Sequence, residues 1–261
     1  MKKITEFNSS LRFLLTDIDD TLTDEGQLGA AAYQALWDLK EHDVQVIPIT
    51  GRPAGWCEMI ARLWPVAGVV GENGGFYFRY HNKKMHRHFY CDEKIQEKNR
   101  HRLDLLQKKI LQEVPGCQLA SDQFCRLMDL AIDFCEDVPP LPAASVQKIV
   151  DLFESAGAQA KISSIHVNGW FGDYNKVTMS LKILFQEFGI SEVEAKTLVG
   201  FSGDSPNDEP MFACFPHSFG VANLQKFAKT LKSQPTYISD KKGGAGFVDI
   251  ANAIIKKKRR P

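Results

Sequence analysis

Nowhere in these 261 residues is there a run of about 18 apolar side chains, the length a membrane-crossing helix needs, and no apolar segment precedes Leu11. The expectation is a cytoplasmic protein with no membrane partner. An excess of charge of one sign is lacking too: 32 Lys and Arg stand against 32 Asp and Glu, so nothing global favours a nucleic acid or an anionic surface. Five basic residues, Lys256, Lys257, Lys258, Arg259 and Arg260, sit together near the C-terminus, where a solvated tail is expected. The six cysteines (Cys57, Cys91, Cys117, Cys125, Cys135 and Cys214) include no Cys-x-x-Cys pair, which argues against a zinc site or a disulfide scaffold. Internal repeats and low-complexity tracts are also missing. What is present is 44% apolar residues, enough for one large domain or two modest ones.

The chain is organised around residues 13–23. An apolar run, Phe13-Leu14-Leu15, has the composition of a buried strand and stops at three carboxylates, Asp17, Asp19 and Asp20. Ligands of open α/β sheets bind outside the carboxyl ends of the strands, so this is where a reactive group belongs. Clustered acids repel one another unless a cation intervenes, and a hard divalent ion with oxygen ligands, Mg2+, is the natural partner.

Two strand-loop-helix units follow. Residues 29–42 place Ala32, Ala35, Leu36 and Leu39 at helical spacing; residues 44–49 read as a strand, 50–53 as a loop and 54–63 as a helix opened by Pro53. Successive units of this kind imply a parallel sheet with right-handed crossovers. A strand at 66–70 leads through Glu72-Asn73-Gly74-Gly75 into a hairpin, 76–80 and 86–90. From residue 91 the texture changes to a charged helix (92–114), a strand over 124–134 with another near 117–120, a helix (143–156) and strands at 159–162 and 165–170. The parallel pattern then resumes: a helix at 175–188 with Val177, Leu181, Leu184, Phe185 and Phe188 facing a core, a strand at 197–201, a helix at 209–214, a strand at 218–222, a helix at 224–231, a strand at 236–239 and a last helix through 252. The fold expected is α/β, a Rossmann-like doubly wound parallel sheet formed by residues 1–90 and 172–261, with an inserted α+β cap over 91–171.

Four polar clusters fall at the ends of core segments: Asp17/Asp19/Asp20/Thr21, Thr50-Gly51-Arg52, Asp173/Asn175/Lys176, and Gly203-Asp204 with Asn207-Asp208. In this order they resemble the four signature motifs of the haloacid dehalogenase superfamily. Asp17-Ile18-Asp19-Asp20-Thr21 fits its Asp-x-Asp-x-Thr, apart from Asp20, where many relatives carry Gly. The insert between the second and third motifs resembles that of members with a large α+β cap, which include sugar-phosphate, sucrose-phosphate, trehalose-phosphate and mannosylglycerate-phosphate phosphatases and the phosphomannomutases.

The resemblance implies Asp17 as nucleophile and metal ligand, and Asp19 as acid-base that also lends the metal its backbone carbonyl. It implies Thr50 and Lys176 as holders of the phosphoryl group, and Asp204, Asn207 and Asp208 at the metal. Chemically this is coherent: a carboxylate attacks phosphorus when held in line with the phosphate charge neutralised. Helix capping is the plain alternative for Asp17, Asp19 and Thr50. Gly51 and Arg52 join the phosphate side, where backbone N–H groups at a helix start suit an anion. Asn73 is a substrate-side candidate.

In the cap, His166, Asn168 and Trp170 alternate along one strand face as a sugar-binding row, set against the plainer view of a partly buried sheet face. Arg126, Asp129 and Asp133 are further candidates. Gly243-Gly244-Ala245-Gly246 lacks a phosphate-loop lysine and reads as a turn. The expected function is hydrolysis of a small phosphorylated metabolite, a sugar or glycosyl phosphate, by a monomer or homodimer with Mg2+. The rivals are a phosphomutase of the phosphomannomutase type and a catalytically silent binding protein.

Overall fold

A computed structural model describes residues 1–163 and 165–258. Arg259 and Arg260 of the basic tail lie outside the described residues. The chain opens with β1 (Lys2–Lys3), β2 (Phe13–Thr16), α1 (Ala30–Glu41), β3 (Gln45–Pro48), α2 (Ala54–Leu63) and β4 (Val69–Gly71). A hairpin of β5 (Phe76–His81) and β6 (Lys84–Phe89) follows, with Asn82 and Lys83 both at positive φ in its two-residue turn. Next come α3 (Glu93–Glu113), β7 (Gln118–Leu119), β8 (Leu130–Asp133), α4 (Ala143–Ser155), β9 (Gln159–Ile162) and β10 (His166–Trp170). The chain finishes with α5 (Lys176–Phe188), α6 (Glu192–Leu198), β11 (Val199–Gly203), α7 (Glu209–Cys214), β12 (His217–Gly220), β13 (Tyr237–Ile238) and α8 (Gly243–Lys258).

The main sheet is parallel throughout, in the order β1-β13-β12-β11-β2-β3, so the strand that ends in the acids lies inside it. Alternation along β2 sends Leu14 into one apolar layer and Phe13 and Leu15 into the other. The first layer packs α1, α2 and α8 on one face, and the second packs α5, α6 and α7 on the opposite face. Both faces are covered, which is why the strand reads as a continuous apolar run. Burying each such Leu or Phe contributes about 1.5–3 kcal/mol. A parallel bridge between Ile49 and Val70 carries the sheet on towards β4, which pairs antiparallel with β5.

A separate antiparallel sheet, β7-β8-β10-β9, backs onto α3 and α4 around Leu103, Ile110, Ile149, Phe153 and Val167. The α/β parallel core and the α+β insert are therefore as the sequence indicates.

Several local expectations are corrected. The strand placed at 124–134 is confined to Leu130–Asp133, because the N–H groups of Leu127, Met128 and Asp129 are taken by the Glu72 side chain rather than by a neighbouring strand. The strand placed at 197–201 begins at Val199, preceded by α6, which Ser191 opens with a capping box to Glu194. The helix placed at 224–231 is a short 3-10 segment, Ala222–Phe227. Phe185, assigned to a core face, is 65% exposed; Met179, Ile183 and Leu184 take that role. Residues 243–246 are the first turn of α8, where Asp24 accepts from the Gly244 N–H at 3.3 Å.

Candidate active site

The site forms where four backbone segments reach the carboxyl edge of the main sheet. Asp17 directly follows β2, and its N–H donates to the Ser202 carbonyl of β11 at 2.9 Å, so the strand pairing itself sets the acid's position. Lys176 is the first residue of α5, whose N-terminus is fixed by the Asn175 side chain accepting from the Thr178 N–H at 3.0 Å. From there its ammonium donates to Asp17 Oδ1 at 2.7 Å, Asp208 Oδ1 at 2.9 Å and Asn207 Oδ1 at 3.2 Å. One buried lysine thus ties the first and fourth motif segments together. Asp208 in turn accepts from the Asp204 N–H at 3.1 Å. Gly203 has to be glycine here, since a Cβ would sit 2.5 Å from Asp208 Oδ2.

Asp17, Asp204 and Asp208 are buried, and each offers an oxygen within 4.8 Å of the others'. Three acids against one ammonium leave an excess of negative charge in a dry place. Burial pushes the Asp17 carboxyl well above its ordinary value; Lys176 opposes this, while Asp208, Asp204 and Asp19 add to it. Burial, with Asp208 and Asp20 adding, pushes Asp204 up to about 7. Burial alone would lower Lys176, but Asp17 and Asp208 hold it above its usual value, fully charged. A compact all-oxygen donor set with surplus negative charge fits a hard divalent cation such as Mg2+.

Asp19 stands apart from this cluster. Its carboxylate accepts from Arg52, with Nε 3.1 Å from both oxygens and Nη2 2.7 Å from Oδ1. The Arg52 guanidinium also lies over the Trp56 ring, 4.4 Å from its centroid. Thr50 is fully buried, and its hydroxyl accepts from the Arg52 N–H at 3.0 Å. The first amide of α2, that of Ala54, points at Glu72 Oε1 (2.9 Å), so this one of the N–H groups at the helix start is taken by a carboxylate. Asp20 has φ +57°, the left-handed conformation that glycine adopts without strain. Asp173 is exposed.

Above these groups lies a cleft of about 570 Å3, lined from the core by Asp17, Asp19, Asp20, Gly51, Arg52, Asn73, Asp204 and Asn207 and from the insert by Lys161, His166 and Asn168. A side pocket of about 400 Å3 adjoins it, with Asn73, Lys161 and Asn207 lining both and Trp170 and Lys176 lining the side pocket.

No family model matches the chain. A phosphoglycolate phosphatase of Methanospirillum hungatei is 28% identical over 244 residues, covering 92% of this chain and 95% of that one. A haloacid dehalogenase-like hydrolase from Bacteroides thetaiotaomicron superposes with a TM-score of 0.67 at 14% identity, covering 94% of this chain and all of the other. The sucrose-phosphatase of Synechocystis, solved with sucrose and phosphate, gives 0.62 at 16% identity, covering 94% and 98%. The chain has the fold of the haloacid dehalogenase-like hydrolases, and over nearly its whole length its sequence is similar to a phosphatase.

The insert presents His166 and Asn168 to the cleft and Trp170 to the side pocket, as their alternation indicates, although all of β10 is buried. The Asn168 amide donates to Asp129 Oδ2 at 3.0 Å. His166 Nε2 lies 2.8 Å from Glu136 Oε2 but out of line for a hydrogen bond, so the contact is an electrostatic one at most. The other insert candidates are turned elsewhere. Asp133 accepts from the N–H groups of Cys135, Glu136 and Asp137 and does not line the cleft. Arg126 lines the cleft, yet its guanidinium is engaged by Asp122, Asp129 and the Gly51 carbonyl. Sequence inspection missed Lys161 and Glu136; their places on β9 and on the loop after β8 become significant only when the sheet is assembled.

Proposed function

We propose that the protein is a Mg2+-dependent phosphatase that removes the phosphoryl group from a small phosphorylated metabolite. The observation that carries this reading is the convergence of Asp17, Asn207 and Asp208 on the Lys176 ammonium beneath a cleft roofed by residues of the 91–171 insert. That insert is assigned as the cap.

Asp17, held by Lys176, attacks phosphorus; its Oδ–P bond forms as the bond to the leaving oxygen breaks. Asp19 gives the leaving alkoxide its proton, then takes one from the water that attacks the same phosphorus and releases phosphate from Asp17. To do so Asp19 turns from Arg52 towards the substrate. Lys176, charged throughout, offsets charge on the nucleophile and the phosphoryl group. Thr50, Gly51, Arg52 and Asn73 flank the phosphate, with His166 and Asn168 facing the leaving group. Mg2+ among Asp17, Asp204 and Asp208, with Asp19 and Asn207 beside it, would draw charge from the phosphoryl oxygens when bound.

Two leaving groups are in contention. The polar cap row and the roomy cleft suit a sugar or glycosyl phosphate. A second reading, a phosphorylated small acid, is favoured by Lys161: among the described residues no carboxylate pairs with it, and it faces both the cleft and the side pocket. The phosphoglycolate phosphatase relative points the same way. A mutase would need a second phosphate site, and the cap arginine in the cleft is already engaged. Release of inorganic phosphate from a panel of sugar phosphates and phosphorylated acids, with and without Mg2+, tests the proposal. Full activity in Asp17→Asn, or none in the wild type on any compound, overturns it.

A further inference from the structure

Glu72 is fully buried, and its carboxylate is ringed by backbone N–H groups from two parts of the chain. From the core, the Ala54 amide donates to Oε1 at 2.9 Å. From the cap, Leu127 donates at 3.0 Å, Asp129 at 3.1 Å and Met128 closer still. A buried carboxylate is tolerated only when its lone pairs are met, and here the chain meets them with main-chain donors whose positions cannot drift independently. Glu72 and Asn73 are also consecutive non-glycine residues at positive φ, 43° and 57°, a turn the surroundings must hold in place.

The docking extends beyond this one group. The Met128 side chain packs in the core's own apolar layer, its carbonyl accepts from the Tyr174 hydroxyl at 3.3 Å, and a Cβ on Gly75 would meet Met128 Cβ at 2.8 Å. On either side of Met128 sit two groups that tie this loop to residues lining the cleft. Arg126 donates to the Gly51 carbonyl at 3.1 Å, and Asp129 holds the Asn168 amide at 3.0 Å.

We infer that Glu72 is a positioning residue: its carboxylate fastens the cap loop 126–129 to the phosphate-side loops of the core and so fixes where Asn168 stands over the cleft. Opening and closing of the cap then pivots at this point, with the loop staying docked.

The test has an exchange arm and a kinetic arm. In the wild type, amides 127–129 resist hydrogen exchange both without ligand and with Mg2+ plus orthovanadate; free exchange at these amides without ligand overturns the inference. Glu72→Gln has the same shape but turns an amide N–H2 towards N–H donors. It speeds exchange at 127–129 at least tenfold while amides of β2 and β11 keep their protection. Turnover of p-nitrophenyl phosphate by this variant shows KM raised at least fivefold with kcat within threefold, because Asp17 and Lys176 are untouched. Unchanged exchange and unchanged KM in the variant sink the inference even if the protein is a phosphatase. The kinetic arm rests on the phosphatase reading and the exchange arm does not, so the two failures are told apart; if Glu72→Gln does not fold, the wild-type exchange decides.

Discussion

Arg52 grips Asp19 with two nitrogens, Nη2 at 2.7 Å and Nε at 3.1 Å from the carboxylate, while Asp19 keeps 38% of its side chain exposed. An ion pair this open to water stabilises by about 1 kcal/mol or less. Asp19→Asn should therefore shift the thermal midpoint by no more than about 4 °C. It should still lower kcat by about 10²–10⁴, the usual worth of a positioned acid-base. Steady-state kinetics beside a melting curve check both halves; a large loss of stability with kcat retained would reverse the assignment.

Lys176→Met leaves Asp17, Asp204 and Asp208 facing one another with no fixed cation. Breaking a buried pair from one side costs about 3–5 kcal/mol. The variant should lose kcat by at least about 10³ and melt lower in EDTA, and Mg2+ should raise its midpoint more than it raises the wild type's. Equal Mg2+ shifts in the two proteins would show that the lysine and the cation do not share these carboxylates.

Asp204 and Glu72 are both held up to about 7, from ordinary values of 3.8 and 4.5, by burial first. Raised folded values mean that the folded chain binds protons more tightly than the unfolded one. The stabilisation is complete below pH about 4 and is lost as pH rises through about 7. Melting in EDTA should accordingly fall between pH 5 and 8, and saturating Mg2+ should flatten part of the slope, since it compensates at Asp204 and not at Glu72. A metal-free midpoint that climbs over this window would contradict the sign.

Asp20→Gly relaxes a left-handed residue and removes a charge that raises Asp204. The expected gain is about 1 kcal/mol, or about 2–4 °C in a melting experiment. Calorimetry showing destabilisation would mean that the Asp20 side chain makes a contribution larger than its strain.

Lys161→Met separates the two leaving groups. With a phosphorylated acid as substrate KM should rise about tenfold, roughly one lost charge-assisted contact, and with a neutral sugar phosphate it should hardly move. Equal effects on both would remove Lys161 from recognition.

The sequence made the core legible because its signals are local. The apolar run into Asp17, the Pro53 start of α2 and the ordered motif series each lie within a few residues. Ser191 and Glu194 carry an equally local sign of α6. The stretch 124–134 could not be read in the same way, since its apolar residues suit a strand and the competitor for its amides is a carboxylate 55 residues away from Leu127. Arg126 and Asp133 looked like substrate contacts for a similar reason: charged side chains near a cleft declare themselves, while the partners that occupy them do not.

The pairing of β2 with β11 has a consequence in time as well as in space. Phe13 lies beside Val199, and the Ser202 hydroxyl donates to the Thr16 hydroxyl across 186 residues of chain. During synthesis at about 5–20 residues per second, the strand that ends at Asp17 waits many seconds for the neighbour that completes its side of the sheet. The β7-β8-β10-β9 sheet and the helices α3 and α4 packed on it, which share one apolar cluster, emerge whole in that interval. A ribosome-bound chain therefore carries a finished antiparallel sheet before Asp17, Lys176 and Asp208 can meet, and these three come together only after residue 208 has left the exit tunnel.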